Sequence, residues 1–517
     1  MLAWYNNDAA YSSDKWDPAT YGRDYDFSKP FFTQLKDLQR AVPRVSLSQE
    51  NAVNSDWINY ERNAKNCYLD VGGEETEDCA YTTYALNSKV ILDSYWIFKS
   101  DSCYQLLRSN NCFQTHFSFW CFKCTDVWFS YDCSDCSNLI GCIGLRHKNY
   151  HIFNQPVSKE EYEKFVAENL NGSHAKLREL QEKVRQFHLG FPRRYSFISK
   201  SENASGSFLE NSKNVVNAWH GDKLEDSKNI YIAANIKHSY DVSPSVNDEY
   251  VYEVLSCAEA NNVRFSFVVW KGVFNLDYCE QMVIGHDCFG CIGMRKGEFS
   301  ILNKKYSQIE YHDLRSKIIE QMKNMPYKDP DGREYRYGEF FPPVMSAFAF
   351  NETVAYEYFP LTREETLAAG FVWKEIDRKN IKPTVLAKDL PDNIKDTPEN
   401  ITSQIIACEH NGECRELCNY VFKLVGPEVA FYKKHGLPLP RFCPNCRHFQ
   451  RIQQLGPRKL WSRQCGCAGA RSDNGAHENE GTHFHGAGKC PNKFETSYAP
   501  ERQEIVYCAE CYQNEVI

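Results

Sequence analysis

Two textures alternate along the chain. Over residues 60–156 and 201–304, short runs rich in Val, Ile, Phe, Tyr and Trp are broken by Asn, Asp, Ser and Cys, with no helical spacing. Cys103, Cys112, Cys121 and Cys133, with Cys124 between, and Asn211-Ser-Lys-Asn214 answered by Asp226-Ser-Lys-Asn229, mark polar corners 9 to 15 residues apart. Short strands between such corners predict a parallel β-solenoid, each coil burying its inward side chains on the next. A sandwich of regularly spaced antiparallel strands is the competing structure. The same small residues recur at the corners, where stacked ladders need them, and this favours the solenoid.

Helical texture follows each of these regions. Ser158-x-x-Glu161 and Ser307-x-x-Glu310 read as capping boxes, in which hydroxyl and carboxylate satisfy orphan backbone donors at a helix start. Leu177, Leu180, Val184 and Phe187 line one face of a further helix that Pro192 closes. Asp329-Pro-Asp-Gly332, Phe341-Pro-Pro343 and Asp389-Leu-Pro-Asp392 punctuate a connector as turns. Inside it Thr362-Arg-Glu-Glu365 opens a short helix that Gly370 stops. The surrounding aromatics, Phe348, Phe350, Tyr356, Tyr358, Phe359 and Trp373, are read as core.

The chain also repeats itself. Gly141-Cys-Ile-Gly144 through Tyr162 recurs as Gly290-Cys-Ile-Gly293 through Tyr311 at an offset of 149, with 10 of 22 aligned positions identical. This is an internal duplication. Upstream, Phe117-Ser-Phe119 matches Phe265-Ser-Phe267 at 148. The organisation expected is mainly β with α: an N-terminal segment (1–59), a first solenoid-like half (60–156), a helical insert (157–200), a second half (201–304), a helix (305–325), a connector (326–405) and a tandem metal-binding domain (406–517).

Composition limits the function classes. The 517 residues carry 60 Lys and Arg against 68 Asp and Glu, net -8, so wholesale wrapping by nucleic acid is not implied. From Cys408 onward the count is 14 basic and 12 acidic, net +2, leaving -10 for residues 1–407. The first residues, Met-Leu-Ala-Trp-Tyr-Asn-Asn-Asp, show neither the basic nor the apolar region of a signal peptide, and no apolar run approaches a bilayer span. A cytoplasmic protein with no membrane partner and reduced thiols is expected, rather than a secreted disulfide scaffold, although 23 cysteines are present.

The cysteines carry the chemistry. The C-terminal ten are Cys408, Cys414, Cys418, Cys443, Cys446, Cys465, Cys467, Cys490, Cys508 and Cys511, and they include two Cys-x-x-Cys knuckles. They supply two closed tetrahedral sites, so two structural zinc ions are expected. Cys418, Cys443 and Cys446 form the first with either Cys408 or Cys414 as fourth ligand. Cys465, Cys490, Cys508 and Cys511 form the second. Cys467 is then spare, and His477, His483 and His485, in a glycine-laced loop, either replace a thiolate or stay solvated, solvation being favoured for at least two of them. Upstream, Cys121-x-x-Cys124 and Cys133-x-x-Cys136 have zinc-ribbon spacing, yet sliding the duplication back sets Cys124 opposite Val273, Cys133 opposite Met282 and Leu139 opposite Cys288. Packing permits that exchange and coordination does not, so these are read as core, with metal as the alternative.

Cys418-Asn-Tyr-Val-Phe422, Glu428, Phe431-Tyr432 and Cys443-Pro-Asn-Cys446-Arg447 resemble a short zinc-ribbon, treble-clef-like domain family, with a first knuckle that departs in spacing. More broadly, Cys490 to Arg502 and Asn303-Lys-Lys-Tyr-Ser307 are similar to a family from candidate-phyla bacteria with reduced genomes, in which a duplicated cysteine-rich region precedes such a tail. The resemblance implies architecture and zinc binding and brings no activity.

Between Tyr432 and Arg463 lie eight cations and no acid: Lys433, Lys434, Arg441, Arg447, Arg451, Arg458, Lys459 and Arg463. Arg447 and Arg451 fall four apart on one helix face, suited to phosphates, and Phe442, Phe449 and Trp461 are interleaved for stacking on bases. The ranked expectations are a non-enzymatic zinc scaffold presenting this basic module to RNA, DNA or a ribonucleoprotein, then a protein-assembly scaffold using the solenoid surface, then an enzyme acting in a solenoid groove. No catalytic constellation backs the last, and no small-molecule substrate is indicated.

Overall fold

The computed structural model describes residues 3–6, 9–12, 17–45, 47–269, 272–375 and 381–516. Met1, Leu2, Asn7 and Asp8, part of the stretch read above for a missing leader, lie outside them. The chain is mainly β with helices, and its two largest sheets are parallel apart from a short antiparallel pairing at the end of each. Among the described residues no helix is long and apolar enough to cross a membrane.

The first sheet runs from Gln49–Glu50 to Gln155–Pro156, and its pairings step by twelve residues. Leu92 pairs with Tyr104, Tyr104 with His116, His116 with Trp128, Trp128 with Ile140 and Ile140 with Ile152. A second column, Tyr95, Leu107, Phe119, Tyr131 and Ile143, is offset from it by three residues. The local rule behind both is a three-residue backbone repeat. Every third residue from Asn51 to Phe153 has a positive φ. The residue after it, Cys103, Leu106, Ser109, Cys112, Thr115, Ser118, Cys121, Cys124, Val127, Ser130, Cys133, Cys136, Leu139 or Cys142, is buried in the interior.

This rule explains the composition. Left-handed backbone costs an L-residue ~1–2 kcal/mol, and Asn and Asp tolerate it best. Those side chains then stack along the outside: Asn51 Nδ2 donates to Asn63 Oδ1 (3.0 Å), Asn214 to Asp226 (2.8 Å) and Asn229 to Asp241 (2.7 Å). Inside, a twelve-residue turn is filled by Cys, Ser and Thr together with aliphatic side chains such as Leu106 and Leu139. The Ser100 hydroxyl accepts from the Cys112 N–H (3.1 Å), Ser109 from Cys121 (3.1 Å) and Ser130 from Cys142 (3.2 Å), so these interior hydroxyls are satisfied by the next turn.

The second sheet, Ile198–Ser199 to Lys304–Lys305, repeats this plan. Lys228 pairs with Tyr240 and Tyr240 with Tyr252, but Arg264 pairs with Asp277, thirteen residues on. That extra residue is the step from 148 to 149 in the duplication. Val273, Met282 and Cys288 are buried inside it, as Cys124, Cys133 and Leu139 are in the first sheet.

The helices begin where their boxes place them. Ser158 Oγ accepts from the Glu161 N–H ahead of Lys159–Asn169, Ser307 does the same for Gln308–Asn324, and Thr362 for Arg363–Ala368. Leu177, Leu180 and Val184 of His174–Leu189 are buried, with Phe187 at the margin. The same face of each half is covered differently. On the second, Phe31 and Phe32 of the Phe31–Ala41 helix pack on Tyr278, 5.3 Å between centroids in each case. On the first, Tyr81, Tyr104 and Trp128 join one core with the Lys159–Asn169 and His174–Leu189 helices and the segment around Cys408 to Cys446.

Candidate metal centres

The first centre is built by a hairpin and a helix start. Ile406–Ala407 pairs antiparallel with Val421–Phe422, which brings Cys408, just past the first strand, beside Cys418, just before the second. Cys443 is the N-cap of the Pro444–Ile452 helix, and Cys446 lies in its first turn. The four sulfurs lie within 4.8 Å of one another and all four residues are buried. Cys443 Sγ is 3.5 Å from Cys446 and 4.0 Å from Cys418, and Cys408 is 3.8 Å from Cys446. Sulfurs ~2.3 Å from a tetrahedral ion stand ~3.8 Å apart, so the quartet is sized for one metal ion.

Backbone donors reinforce the thiolates. The Cys443 N–H donates to Cys408 Sγ (3.2 Å) and the Tyr420 N–H to Cys418 Sγ (3.4 Å), while the helix N-terminus adds a positive dipole end. Hydrogen bonding from Cys408 pulls Cys418 far below the ordinary thiol range and Cys443 to about 7, and pushes Cys446 well above it. Four apposed sulfurs cannot all ionise without a cation among them. Of the two candidates for the fourth position, Cys408 is in the quartet. Cys414, half-buried, lies 3.7 Å from Cys446 Sγ in a separate group with His410 and Glu416.

The second centre is assembled from more distant pieces. Trp461–Gln464 pairs antiparallel with Lys493–Thr496, so that Cys465 and Cys490 flank the same hairpin, and Cys508-x-x-Cys511 opens the Ala509–Val516 helix. All four are buried and mutually within 4.8 Å. Cys490 Sγ is 3.9 Å from Cys508 and 3.7 Å from Cys511, and the Cys508 N–H donates to Cys465 Sγ (3.2 Å), the counterpart of the Cys443 to Cys408 bond. Hydrogen bonding from Cys465 draws Cys508 down to about 4.

No protein-family model and no curated protein matches the chain. A solved structure from Desulfovibrio desulfuricans G20 that carries the name of an acetyltransferase aligns with 48% of this chain at 9% identity. The alignment spans 65% of that protein, just under two thirds, with a TM-score of 0.10, too low to carry any argument. The chemistry therefore rests on the residues themselves.

The expected solvation of the histidine loop is corrected. The Glu515 carboxylate accepts from the Glu480 N–H (3.0 Å) and the Gly481 N–H (2.9 Å), and meets His483 Nε2 (3.0 Å) and His477 Nε2 (3.3 Å). His483 is buried, and His477 and His485 are half-buried. Cys467 is buried beside them, outside the quartet. Glycines loosen a loop only where nothing else binds it.

The basic run divides. Lys433, Lys434 and Lys459 are exposed and Arg463 is half-exposed, whereas Arg441, Arg447, Arg451 and Arg458 are buried. Arg447 and Arg451 do share one helix face, but it points inward. Arg447 Nε lies 3.0 Å from Asp93 Oδ2 and Arg451 Nη1 2.9 Å from Asp93 Oδ1, and Arg447 Nη2 lies 3.1 Å from Glu428. Tyr432 OH (2.8 Å) and Tyr81 OH (3.1 Å) donate to the Glu428 carboxylate. Two cations meet two carboxylates in a closed network, so this pair offers phosphates nothing. Arg441 donates to the Leu390 and Pro391 carbonyls, and Arg458 lies 3.3 Å from the Tyr358 ring. Asp93 was missed because it lies more than 300 residues from its partners.

Among the described residues the first-sheet cysteines give one metal-capable group, Cys67 with Asp70 and Cys79. Cys121, Cys124, Cys133 and Cys136 are not in it, and they pack as interior positions of the three-residue repeat.

Proposed function

We propose that the chain is a non-enzymatic zinc-binding scaffold. In this reading two β-solenoid halves related by duplication, near residues 60–156 and 201–304, form the body, and residues 406–517 are a tandem zinc domain of ribbon and treble-clef type. Each cysteine quartet holds one structural zinc ion. The observation that carries the reading is the completeness of both quartets: four buried sulfurs at tetrahedral separation with backbone N–H groups aimed at them leave no position for water or substrate. The twelve-residue pairing step and the three-residue φ repeat support the solenoid. The buried Glu428, Tyr432 and Arg447 network supports the family resemblance, since it joins that signature's own residues.

The partner is a protein in preference to RNA or DNA. Four of the eight cations expected to meet phosphate are interior, while the second sheet exposes Tyr240, Tyr250, Tyr252, Leu255 and Phe274 along its outer faces. Free thiols at all 23 cysteines suit a reducing compartment, the cytoplasm. The test is metal analysis of the purified full chain, with titration of single-stranded RNA and duplex DNA at low and high salt. Tightly held zinc and no salt-sensitive binding are expected. Metal-free folded protein sinks the zinc reading, and binding whose logarithm falls steeply with salt sinks the choice of partner.

A further inference from the structure

Beside the second quartet lies a group of ligand atoms that the quartet does not use. Cys467, His483, His485 and Cys511 place one ligand atom each within 4.8 Å of the others, and Cys511 belongs to both groups. We propose that this group binds an additional thiophilic divalent ion, with the Cys511 thiolate bridging it to the ion of the Cys465, Cys490, Cys508 and Cys511 quartet. The inference rests on the quartet holding its own ion.

Each of the three remaining ligands is held by an outer partner that leaves a lone pair on its donor atom turned toward the group. The Glu515 carboxylate receives the His483 Nε2 proton (3.0 Å), which leaves the Nδ1 lone pair buried with no hydrogen-bond partner. A buried, unpaired ring nitrogen is destabilising, and a metal ion removes that cost. His485 pairs its Nδ1 proton with the Gly488 carbonyl (2.8 Å), so the Nε2 lone pair faces Cys511 Sγ at 3.4 Å. Asn479 Nδ2 donates to Cys467 Sγ (3.3 Å), and that amide is itself fixed by Tyr507 OH (2.8 Å) and the Gly469 carbonyl (2.6 Å). Carboxylate and carbonyl partners on ligating imidazoles fix the tautomer that binding requires. Two sulfurs and two imidazoles suit zinc, as four sulfurs do. Charge agrees: one dication among four thiolates leaves two negative charges, and two dications among five leave one.

The first centre has a looser counterpart. There Cys414 with His410 and Glu416 also borders a shared cysteine, Cys446, and His410 Nδ1 lacks a hydrogen-bond partner as well, but none of the three is fully buried and only one imidazole is offered.

The test counts ions on the full chain by native mass spectrometry with elemental analysis, in the wild type and in Cys467→Ser, His483→Gln and His485→Gln. Three zinc ions are expected in the wild type and two in each variant, with folding judged by near-ultraviolet circular dichroism. His485 is half-exposed, so its variant keeps the test valid if the other two fail to fold. In the cadmium-113 form, two resonances coupled through one bridging sulfur are expected, and the coupling disappears in His485→Gln. Two ions in the wild type, or three retained in His485→Gln, overturn the bridged ion while leaving the quartets standing. A wild type without ions, or quartet variants Cys418→Ser and Cys490→Ser that lose none, overturn the quartets as well.

Discussion

The two centres use the same local device and differ in what surrounds it. In both, a cysteine that follows a short strand accepts the N–H of the first cysteine of a Cys-x-x-Cys that opens a helix, at 3.2 Å in each. Around the first, the helix that carries Cys446 also carries Arg447 and Arg451, which dive into the first sheet and close on Asp93. Around the second, the helix after Cys508 carries Tyr512, which donates to Asp132 (2.6 Å), and Glu515, which gathers the histidine loop. The first centre is welded to the sheet by ions, and the second by the Tyr512–Asp132 and Tyr131–Tyr498 hydrogen bonds and aromatic packing, with a separate Arg193–Val506 strand pairing alongside. A metal knuckle fixes its own few residues, and its neighbours decide what else it holds.

Removing metal tests this contrast most severely, because structural zinc contributes ~10–16 kcal/mol to small sites. A strong chelator is expected to expose residues 406–517 to hydrogen exchange together with the face of the first sheet around Tyr81, Tyr104 and Trp128. The second sheet, covered by Phe31–Ala41, stays protected. Cys408→Ser is expected to reproduce half of this and to lose one ion, whereas Cys414→Ser retains the ion. Equal loss of protection in both sheets would remove the distinction between their covers. Next in size, Arg447→Ala leaves Asp93 and Glu428 short of a buried partner, and a loss of ~3–5 kcal/mol in denaturant unfolding is expected. A cost below ~1 kcal/mol would show that the network is not what joins the first centre to the sheet.

How much of this could be read from the chain follows the range of each signal. Capping boxes such as Ser158 with Glu161 are local, and the helices start where those residues say. The quartets were legible because closed structural zinc sites draw on thiolates and each holds a Cys-x-x-Cys pair, although Cys408 could be separated from Cys414 only by its place in the folded quartet. The three-residue repeat was present at Cys103, Leu106, Ser109 and Cys112, but it matches neither the period of a strand nor that of a helix, so it read as irregular corners. The inward turn of Arg447 and Arg451 was not legible at all: an arginine on a helix face points to water unless a distant residue supplies a buried acid, and Asp93 is that residue. His483 was hidden in the same way by Glu515.

A smaller effect separates the centres by pH. Burial holds His116 and His220 well below the ordinary imidazole range, and His116 packs against the first centre's side of the molecule, 5.5 Å from the His435 ring. Because the folded pKa is depressed, the unfolded chain takes up these protons first. The stability they contribute is complete above the ordinary value of ~6.5 and is lost as pH falls below it, by up to ~1.4 kcal/mol per pH unit for each histidine. His116→Gln is expected to flatten the acid limb of stability by one such slope at fixed metal content, and an unchanged limb would show that His116 is free to protonate when folded.

The smallest expected change belongs to Lys433 and Lys434, and it is the one that sharpens the contrast within the basic run. Both side chains are exposed at the end of the Gly426–His435 helix, whose C-terminal dipole they complement, and neither belongs to the Asp93 network. Converting both to Ala is expected to change unfolding free energy by ~0.5 kcal/mol or less, against several for Arg447→Ala. The same double variant bears on nucleic acid without the ambiguity of unfolding: each lysine that neutralises a duplex phosphate contributes ~0.9 to the slope of log affinity against log salt. Since the inward arginines do not contribute, the share of any slope that belongs to this run after loss of both lysines comes from Lys459 and Arg463, and an unchanged slope larger than those two allow places the phosphate contacts on exposed cations outside the run, such as Lys489 and Lys493.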